Sequence, residues 1–289
     1  MVRILFSLAL AVAILLAWPK PAEAAESYDS CTGFIDSLPA TITTQGNWCL
    51  RKNLSIAITS GQAITIAANN VTIDCNGFKI GGLAGGVGTK STGIGAASRL
   101  NATIRNCSIR GFYHGIHLVG PNGGGHLVED NTFDGNTRYG LVVTNSPGST
   151  IRDNQVLDTG GSSIAGHAHG IYAVNGVDII NNTINGVAPT SGANAYGIRT
   201  AANGAGSVVG NRIRGLAPSG GGAPLGIFNG NSGRIVIFEN VVQGPGSAVA
   251  GGIGIRCESN AASARHNMVL GFNTGIQTCL SSANSVNNN

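Results

Sequence analysis

The sequence predicts an all-β solenoid, in which about eight short coils stack behind an N-terminal cap. Gly accounts for 45 of the 289 residues, against an average share of roughly 7%, and supplies the sharp bends that such coils need. Only 10% of the residues are charged and 42% are hydrophobic, which excludes a disordered chain. Two short patterns also recur, the first of them at intervals of 23 to 31 residues, and this period is typical of solenoids.

The first pattern is an apolar residue, two variable residues, Asn, one residue and a second apolar residue. Short aliphatic runs of this kind predict strands, and the Asn predicts the turn between two of them. Because equivalent positions of successive coils stack, we expect the Asn side chains to form a ladder of amide hydrogen bonds. The column consists of Asn76, Cys107 in the place of Asn, Asn131, Asn154, Asn182, Asn211, Asn240 and Asn267.

The second pattern is Gly followed by Ile or Leu, and it lies between successive copies of the first. These glycines are Gly93, Gly115, Gly140, Gly170, Gly197, Gly226, Gly254 and Gly275. The segment from Asn to Gly lengthens to 14–16 residues in the four consecutive copies that begin at Asn154. We expect these enlarged turns to stack into a wall along one side. A repeat of this length is too short for a strand, a crossover helix and a second strand.

The N-terminus predicts export. Met1–Arg3 is positively charged, Ile4–Trp18 is apolar, and Ala22 and Ala24 are the small residues that a signal peptidase reads. Fifteen apolar residues are also too few for a membrane span, and the rest of the chain offers none. Cleavage near Ala24 would leave a protein with a net charge of +3, too weak and scattered to predict nucleic-acid binding. We therefore expect a secreted or periplasmic protein.

The repeats divide the chain into four regions. These are a signal peptide at 1–24, an N-terminal cap with the first strands at 25–68, the repeats at 69–283 and a polar tail at 284–289. The oligomeric state is not encoded in any of these patterns.

All six cysteines lie beyond the signal peptide, and an even number in an exported protein favours disulfides. Spacing suggests the pairs Cys31–Cys49, Cys75–Cys107 and Cys257–Cys279, although spacing alone does not fix the connectivity. The repeats place the last two pairs on adjacent coils. No CxxC motif points to a zinc or redox site.

Three segments resemble the secreted bacterial right-handed parallel β-helix proteins of the pectin-lyase-like superfamily. Residues 69–78 (NNVTIDCNGF) are similar to the opening coil of that group, 101–112 look like its second coil, and Cys31 to Leu54 looks like its N-terminal cap. The resemblance implies a right-handed single-stranded parallel β-helix. It also implies either activity on acidic polysaccharides, as a lyase, hydrolase, esterase or epimerase, or a scaffold without activity.

The catalytic motifs of those enzymes are incomplete in this sequence. Residues 166–170 (GHAHG) only approximate the Gly-His-Gly of the polygalacturonase type, and no Asp-Asp pair or Asp-Pro-His motif occurs. The carboxylates are scattered, whereas glycoside hydrolysis requires two facing one bond. Four of them fall near the Asn column, where they either line an edge that binds Ca²⁺ or are solvated turn residues: Glu129, Asp130, Asp153 and Asp178. No other cofactor is predicted.

The Gly column is flanked by aromatic and cationic residues. One residue before Gly, successive coils present His114, Tyr139, His169 and Tyr196. Two residues after Gly they present His117, Val142, Tyr172, Arg199, Phe228 and Arg256. Strand alternation points the second column to solvent, but it does not fix the direction of the first, which lies at a bend.

These columns predict a sugar-binding groove. The candidates for general acid or base chemistry are His114, Tyr139 and His169. The candidates for substrate binding are His117, Arg138, Tyr172, Tyr196, Arg199, Phe228 and Arg256. An outward aromatic ladder that only stabilises the strands is the alternative. A metal held by His167, His169 and Tyr172 is a further, weaker one because no acidic ligand accompanies them.

Two functions follow from the sequence. The first is an exported scaffold that binds extracellular or cell-wall polysaccharide without catalysis. The second is a carbohydrate-active enzyme, a polysaccharide lyase, hydrolase or epimerase, that acts on an acidic polysaccharide in the His, Tyr and Arg groove. The missing catalytic motifs favour the first.

Overall fold

The computed structural model describes residues 28–201, 206–230, 233–246 and 249–288. The chain divides into two units, 1–30 and 31–289, and every strand lies in the second. The predicted signal peptide at 1–24 lies outside the described residues.

The second unit is a succession of short strands, as the all-β prediction requires. In chain order they are β1 (Gly33–Phe34), β2 (Ala40–Ile42), β3 (Gly46–Cys49), β4 (Leu54–Ser55), β5 (Gln62–Ile66), β6 (Val71–Asp74), β7 (Lys79–Gly81), β8 (Thr92–Ala97), β9 (Thr103–Arg105), β10 (Ser108–Arg110), β11 (His114–Val119), β12 (Leu127–Glu129), β13 (Thr132–Asp134), β14 (Tyr139–Thr144), β15 (Ser149–Arg152), β16 (Gln155–Gly160), β17 (Ala168–Val174), β18 (Val177–Ile180), β19 (Thr183–Ala188), β20 (Ala195–Ala201), β21 (Gly206–Val209), β22 (Arg212–Leu216), β23 (Pro224–Asn229), β24 (Ile235–Phe238), β25 (Val241–Gln243), β26 (Ile253–Cys257), β27 (Ser263–Arg265), β28 (Met268–Leu270), β29 (Thr274–Gln277), β30 (Leu280–Ser282) and β31 (Ser285–Asn287). A single 3₁₀ turn, Leu83–Gly85, is the one helical element of the described residues. No helix among them is long and apolar enough to cross a membrane.

The strands form three parallel sheets, which confirms the predicted β-solenoid. Sheet 1 has the order β1-β3-β6-β9-β12-β15-β18-β21-β24-β27-β30. Sheet 2 has the order β2-β5-β8-β11-β14-β17-β20-β23-β26-β29. Sheet 3 has the order β31-β28-β25-β22-β19-β16-β13-β10-β7-β4. Each coil therefore visits sheets 1, 3 and 2 in turn, and the eight predicted coils are β6 to β29.

The core is made of aliphatic residues stacked in register. In sheet 1, for example, Val128 lies between Ile104 and Ile151, and all three side chains are fully buried. Sheets 2 and 3 contribute equivalent columns around Ile171 and Ile184. Because every coil repeats this arrangement, the core is continuous from coil to coil.

A ladder of Asn side chains runs along the turn from sheet 1 to sheet 3. In each step the Nδ2 atom donates to the Oδ1 atom of the next Asn at 2.9–3.0 Å, along Asn131, Asn154, Asn182, Asn211, Asn240, Asn267 and Asn284. The first six are buried to 1% exposure or less. Cys107 joins the ladder through its backbone N–H, which donates to Asn131 Oδ1 at 3.0 Å. The predicted ladder is therefore present from Cys107 onward.

Asn76 does not belong to this ladder, contrary to the repeat pattern. Its Nδ2 atom donates to the carbonyl of Leu50, and its own φ of 48° places it in the left-handed region. The turn here contains two extra residues, since Ile80 rather than Phe78 pairs with Ile109 of the next coil. The prediction is wrong at Asn76 because the pattern assumes the same number of residues between Asn and the next strand in every coil, and the first turn is two residues longer.

Three disulfides join the predicted cysteine pairs. Cys31 is bonded to Cys49, Cys75 to Cys107 and Cys257 to Cys279, with Cα atoms 4.7–5.9 Å apart. The last two connect neighbouring coils, as the repeat positions indicate.

The Gly column lies at the inner corner between sheets 3 and 2. A Cβ atom at Gly170 would lie 2.6 Å from the carbonyl oxygen of Gly197 and 2.7 Å from Ile184 Cγ2. Gly140 and Gly197 meet the equivalent atoms of their own neighbours at similar distances. Only Gly fits this corner, and it lets the chain turn sharply into each strand of sheet 2.

The enlarged turns stack beside the entrance to sheet 2. The hydroxyl of Thr190 donates to the carbonyl of Ser162 at 2.6 Å, and the hydroxyl of Ser219 donates to the carbonyl of Pro189 at 3.1 Å. The first of these turns also reaches back three coils, where Ser163 N–H donates to the carbonyl of Val87. The turns thus form a hydrogen-bonded wall along one side of sheet 2.

Candidate functional site

The bend at each Gly decides which way the first column points. Simple alternation would place His169 on the same side as the buried Ile171. The corner at Gly170 instead turns His169 outward, where its ring centroid lies 5.4 Å from that of Tyr172. Both predicted columns therefore lie on the same outer face of sheet 2, which we call the sheet 2 face.

The first column forms a continuous aromatic stack. The ring centroids of His114 and Tyr139 are 4.9 Å apart, those of Tyr139 and His169 are 4.9 Å apart, and those of His169 and Tyr196 are 4.8 Å apart. The interplanar angles are 24°, 2° and 9°, so the rings are nearly parallel. The stack follows directly from the strand register, in which Tyr139 pairs with His114 on one side and His169 on the other. His117 extends it sideways, 4.7 Å from His114.

The second column contains an alternation of aromatic rings and guanidinium groups, which we call the arginine column. Arg199 Cζ lies 5.4 Å from the ring centroid of Tyr172 and 5.6 Å from that of Phe228. Arg256, in the coil after Phe228, has its Cζ atom 5.4 Å from the centroid of the same Phe228 ring. Such cation–π contacts are worth about 0.5–1 kcal/mol each at exposed sites. They hold the guanidinium groups in place over the sheet 2 face.

The second column is less exposed than alternation predicts. Val142 and Phe228 are only 4% and 6% exposed, whereas Tyr172, Arg199 and Arg256 are half-buried. The expectation of a solvent-exposed column is wrong for the first two, and the Phe228 ring is covered by Tyr196 of the first column, with ring centroids 5.6 Å apart. Phe228 packs with Tyr196 and Leu225 in a small apolar cluster that is separate from the main core.

Arg138 is fixed between the stack and the wall of turns. Its Nε atom donates to the carbonyl of His167 at 3.1 Å, and a guanidinium nitrogen donates to the hydroxyl of Tyr113. Its Cζ atom lies 5.5 Å from the Tyr139 ring centroid. All ten candidate residues that the sequence indicates are thus brought together on one face.

Three further residues that the column pattern does not select also belong to this face: Tyr113, Thr92 and Asn194. Tyr113 packs edge-on against His114 at 4.7 Å, and Thr92 Oγ1 lies 3.4 Å from His114 Nδ1. Asn194 donates its backbone N–H to His167 Nδ1 at 2.9 Å and its Nδ2 to the Tyr196 hydroxyl at 3.2 Å. Tyr113 immediately precedes the first column, so a search of the residues next to each column position would have found it.

The imidazoles of this face are neutral at neutral pH. Burial lowers the pKa of His114 to about 3, and the charges of His117 and Arg138 act in the same direction. Burial, with Arg199 nearby, holds the pKa of His169 well below its usual value. Burial raises the pKa of the Tyr139 hydroxyl, which stays protonated. Within the described residues, His169 Nδ1 and Arg199 Nε are buried atoms without a hydrogen-bond partner.

The carboxylates that the sequence analysis singled out serve other parts of the fold. Glu129 accepts a hydrogen bond from Arg152 Nε at 2.9 Å, and Asp178 accepts one from the Ser207 hydroxyl at 2.7 Å, both on sheet 1. Asp130 and Asp153 have φ values of 53° and 55° and form the bend just before the Asn ladder. Asp favours this left-handed conformation more than most residues do. These four carboxylates are engaged in pairing and in turns.

The arrangement can bind an anion and a sugar ring, and it can hold a proton on Tyr139 beside a neutral imidazole. Three guanidinium groups face outward, and the ion pairs of the described residues involve other arginines: Arg51–Asp36, Arg105–Asp74, Arg110–Asp134 and Arg152–Glu129. Aromatic faces next to free N–H donors are the usual components of carbohydrate and carboxylate recognition.

The model of one protein family matches the chain. It is described as "Periplasmic copper-binding protein (NosD)" and covers residues 84–243, more than half of the chain. The match agrees with the resemblance to exported parallel β-helix proteins. No curated protein is similar enough in sequence to match.

Solved structures with a similar course of the chain include three β-solenoid proteins. They are XylC in complex with xylose (12% identity, TM-score 0.49, covering 76% of this chain and 38% of that one), the A-module of the mannuronan C-5 epimerase AlgE4 of Azotobacter vinelandii (13%, 0.48, 86% and 80%) and the Dettilon tailspike protein gp208 (15%, 0.46, 88% and 60%). The chain thus spans about two fifths of the length of XylC and three fifths of the tailspike protein.

The description of the family names copper, and the residues present do not fit a copper site. Copper in proteins is bound by His imidazole, Cys thiolate or Met thioether groups whose lone pairs converge on the ion. All six cysteines here form disulfides, and the rings of His114 and His117 are stacked within 25° of parallel, so their nitrogen lone pairs do not converge. Over residues 28–201, 206–230, 233–246 and 249–288, no group of three or more His, Cys, Asp or Glu side chains is placed to hold a metal ion.

Proposed function

The chain belongs to the NosD family, and from this premise we propose that it is an exported β-helix scaffold that binds an acidic extracellular or cell-wall polysaccharide on its sheet 2 face, without catalysis. The periplasmic description of the family and the leader-like residues 1–24 support export. Cleavage near Ala24 would release the binding protein to the periplasm or the medium.

The unpaired arginines are the observation that supports this function. Arg199 and Arg256 form no ion pair with any carboxylate of the described residues, although both are half-buried and held by aromatic rings. A half-buried guanidinium without an anion is costly, because its N–H donors lose part of their water. A uronate carboxylate would restore these hydrogen bonds in the bidentate geometry that Arg favours.

The aromatic residues supply the second half of sugar recognition. Tyr139 and Tyr172 are half-buried, so part of each ring faces outward beside the arginines. Because the flat faces of Tyr139 are stacked between His114 and His169, the exposed ring edges are the parts that would contact the C–H groups of a pyranose ring. The wall of enlarged turns closes one side of the face and gives a linear ligand a boundary.

The absence of catalysis is proposed from the chemistry of the face. Hydrolysis of a glycosidic bond uses two carboxyl groups, one on each side of that bond. The side chains joined by contacts on the sheet 2 face are His, Tyr, Arg, Asn, Thr and apolar residues, and the four sequence-selected carboxylates are engaged on sheet 1 and its turn.

A second candidate function is an enzyme that removes a proton next to the carboxylate of a uronate, as in β-elimination or epimerisation. The neutral His114 beside the protonated Tyr139 hydroxyl favours it, because one ring can accept a proton and the other can donate one. Arg138 or Arg199 would neutralise the carboxylate and so make the adjacent C–H more acidic. The low pKa of His114 makes it a weak base, which favours binding over catalysis.

Binding is tested with the purified mature protein against acidic and neutral polysaccharides by isothermal titration calorimetry. We expect heat of binding with polyuronates and none with neutral glucans. Arg199→Gln should weaken binding at least about tenfold, because a hydrogen bond to a charged group contributes about 1.5–3 kcal/mol. Arg214→Gln is the matched control, since it removes an exposed arginine of sheet 3. Equal binding of neutral and acidic glycans would contradict the proposal.

Catalysis is tested on the same polysaccharides by the release of reducing ends and by the ultraviolet absorbance of unsaturated uronate. The triple variant His114→Phe, Tyr139→Phe and His169→Phe keeps four stacked rings but removes the three candidate proton-transfer groups of the stack. Product formation that this variant loses while it still melts cooperatively would establish the enzyme and overturn the non-catalytic scaffold.

A further inference from the structure

We propose that Arg199 and Arg256 form two separate carboxylate subsites, so that the ligand is an extended acidic glycan that runs along the stacking direction of the coils and presents a carboxylate on every second sugar. This inference rests on the proposed function and adds the direction and the charge period of the ligand. It depends on the strand register and on how the guanidinium groups are held.

The register places the two arginines two coils apart. Arg199 pairs with Phe228 in the next strand of sheet 2, and Phe228 pairs with Arg256 in the strand after it. Parallel strands are about 4.8 Å apart, so the two positions are separated by about 10 Å along the stack. The intervening coil contributes no charge at this position because its residue is Phe228.

The packing of the guanidinium groups leaves their edges available. Arg199 has Tyr172 and Phe228 on its two sides, at 5.4 and 5.6 Å, and Arg256 has Phe228 at 5.4 Å. A cation–π contact occupies the flat face of a guanidinium, whereas hydrogen bonds leave from its edge, in the plane. Arg199 Nε is itself buried and has no hydrogen-bond partner in the described chain, so a ligand would meet the terminal NH2 groups of this guanidinium. Each arginine can thus donate hydrogen bonds to one carboxylate.

The separation suits the geometry of an extended polysaccharide. Two pyranose units of an extended chain span about 10 Å, and this is also the distance between two coils that are separated by one other coil. In a ribbon-like chain, alternate sugars present their substituents to the same side. A chain of uronates in this conformation, or one in which uronate alternates with a neutral sugar, therefore places successive carboxylates opposite Arg199 and Arg256. A glycan that crosses the coils at a right angle meets only one of them.

The test is a length series of oligouronides, from the disaccharide to the hexasaccharide, titrated by calorimetry into the wild-type protein. A trisaccharide is the shortest ligand whose first and third carboxylates reach both subsites. We expect the affinity to rise at least about tenfold between the disaccharide and the trisaccharide or tetrasaccharide, because the second contact becomes intramolecular. A protein with only one carboxylate subsite would show no such step in affinity.

Variants assign the step to the two arginines. The increase in affinity with ligand length should vanish in Arg256→Gln and in Arg199→Gln. Each variant should bind the tetrasaccharide no more tightly than the wild type binds the disaccharide. Arg214→Gln should keep the increase, since that side chain lies on sheet 3. Circular dichroism melting curves confirm that each variant is folded.

The outcomes separate this inference from the proposed function. If oligouronides of every length bind with similar affinity and Arg256→Gln has no effect, the two-subsite inference is wrong and the binding function stands. If no oligouronide binds, both are wrong. A step that both arginine variants abolish supports both.

Discussion

The buried Asn ladder allows one substitution to be worked out quantitatively. Asn182 lies in the middle of the ladder and is 1% exposed. Its Nδ2 atom lies 3.0 Å from Asn211 Oδ1 and 3.0 Å from each of two backbone carbonyls, and its Oδ1 atom accepts from the N–H and Nδ2 of Asn154 at 3.0 Å. Asn182→Ala therefore removes five hydrogen-bond contacts at once, three of which share the two N–H groups of Nδ2.

The expected loss follows from what remains unpaired. The backbone N–H of Asn154 loses its buried acceptor, and one buried donor without a partner costs about 1–3 kcal/mol. The other broken contacts contribute about 1 kcal/mol each or less, because some of their atoms keep a second partner. We expect Asn182→Ala to lower the free energy of unfolding by roughly 3–5 kcal/mol.

The matched control is Asn284→Ala, at the last rung of the same ladder. Asn284 makes the same contacts to Asn267, but it is half-buried and its partner Ser281 is exposed. Water can replace its hydrogen bonds there, so we expect a loss of about 1 kcal/mol. Both variants are compared with the wild type by urea unfolding, followed by circular dichroism and by tryptophan fluorescence, because a solenoid can unfold in stages.

The reasoning is refuted if the two variants lose equal stability, or if Asn182→Ala loses less than about 1 kcal/mol. Either result would mean that the amide ladder follows from the stacking of the strands and contributes little to it.

Three further outcomes are expected. Removing the Cys75–Cys107 bridge, which spans 32 residues, with Cys75→Ser and Cys107→Ser should lower the free energy of unfolding by about 3–4 kcal/mol in urea titrations. Gly170→Ala adds a methyl group 2.6 Å from the carbonyl oxygen of Gly197 and should destabilise the fold by about 1–3 kcal/mol, measured by the same titration, whereas Gly88→Ala, which meets only the flexible Ser163 hydroxyl, should not. The pKa values of His114 and His126 are lowered from 6.5 to about 3 and about 4, so the unfolded chain takes up protons first as the pH falls. The stability that these residues contribute is therefore complete above pH 6.5 and declines from there toward pH 3, and melting temperatures at pH 7, 5 and 4 should fall less steeply in His114→Phe. A flat profile in the wild type would contradict the burial of both imidazoles.

The repeats made the fold predictable because every coil of a solenoid has nearly the same geometry and therefore shows the same residue pattern. The Asn and Gly columns fix the two corners, and the aliphatic residues between them fix the strands. The pattern failed at Asn76, where the first turn contains two extra residues and the amide bonds to Leu50 instead. A single coil next to the cap lacks a preceding coil with the same spacing, so the period alone could not detect the insertion.

The candidate site was predictable in composition but not in orientation. Counting from the Gly column selected ten residues that the structure places on one face. The direction of His169 depended on the corner at Gly170, which strand alternation does not describe. Tyr113 was missed because only the column positions themselves were considered, and Asn194 was missed because it lies in a turn, where its contact with the face is set by the packing of that turn and not by a period.

Sheets 1 and 2 differ in how their arginines are paired. On sheet 1, arginine and carboxylate occur together, as in Asp74–Arg105 and Glu129–Arg152, and these pairs are complete within the chain. On sheet 2, Arg199 and Arg256 stand over aromatic rings with no carboxylate of the described residues beside them. A ladder needed only for stability would be satisfied by rings alone, as the nearly parallel Tyr139 and His169 show. Under the proposed function, an anion from outside the chain would complete the hydrogen bonding of the additional guanidinium groups.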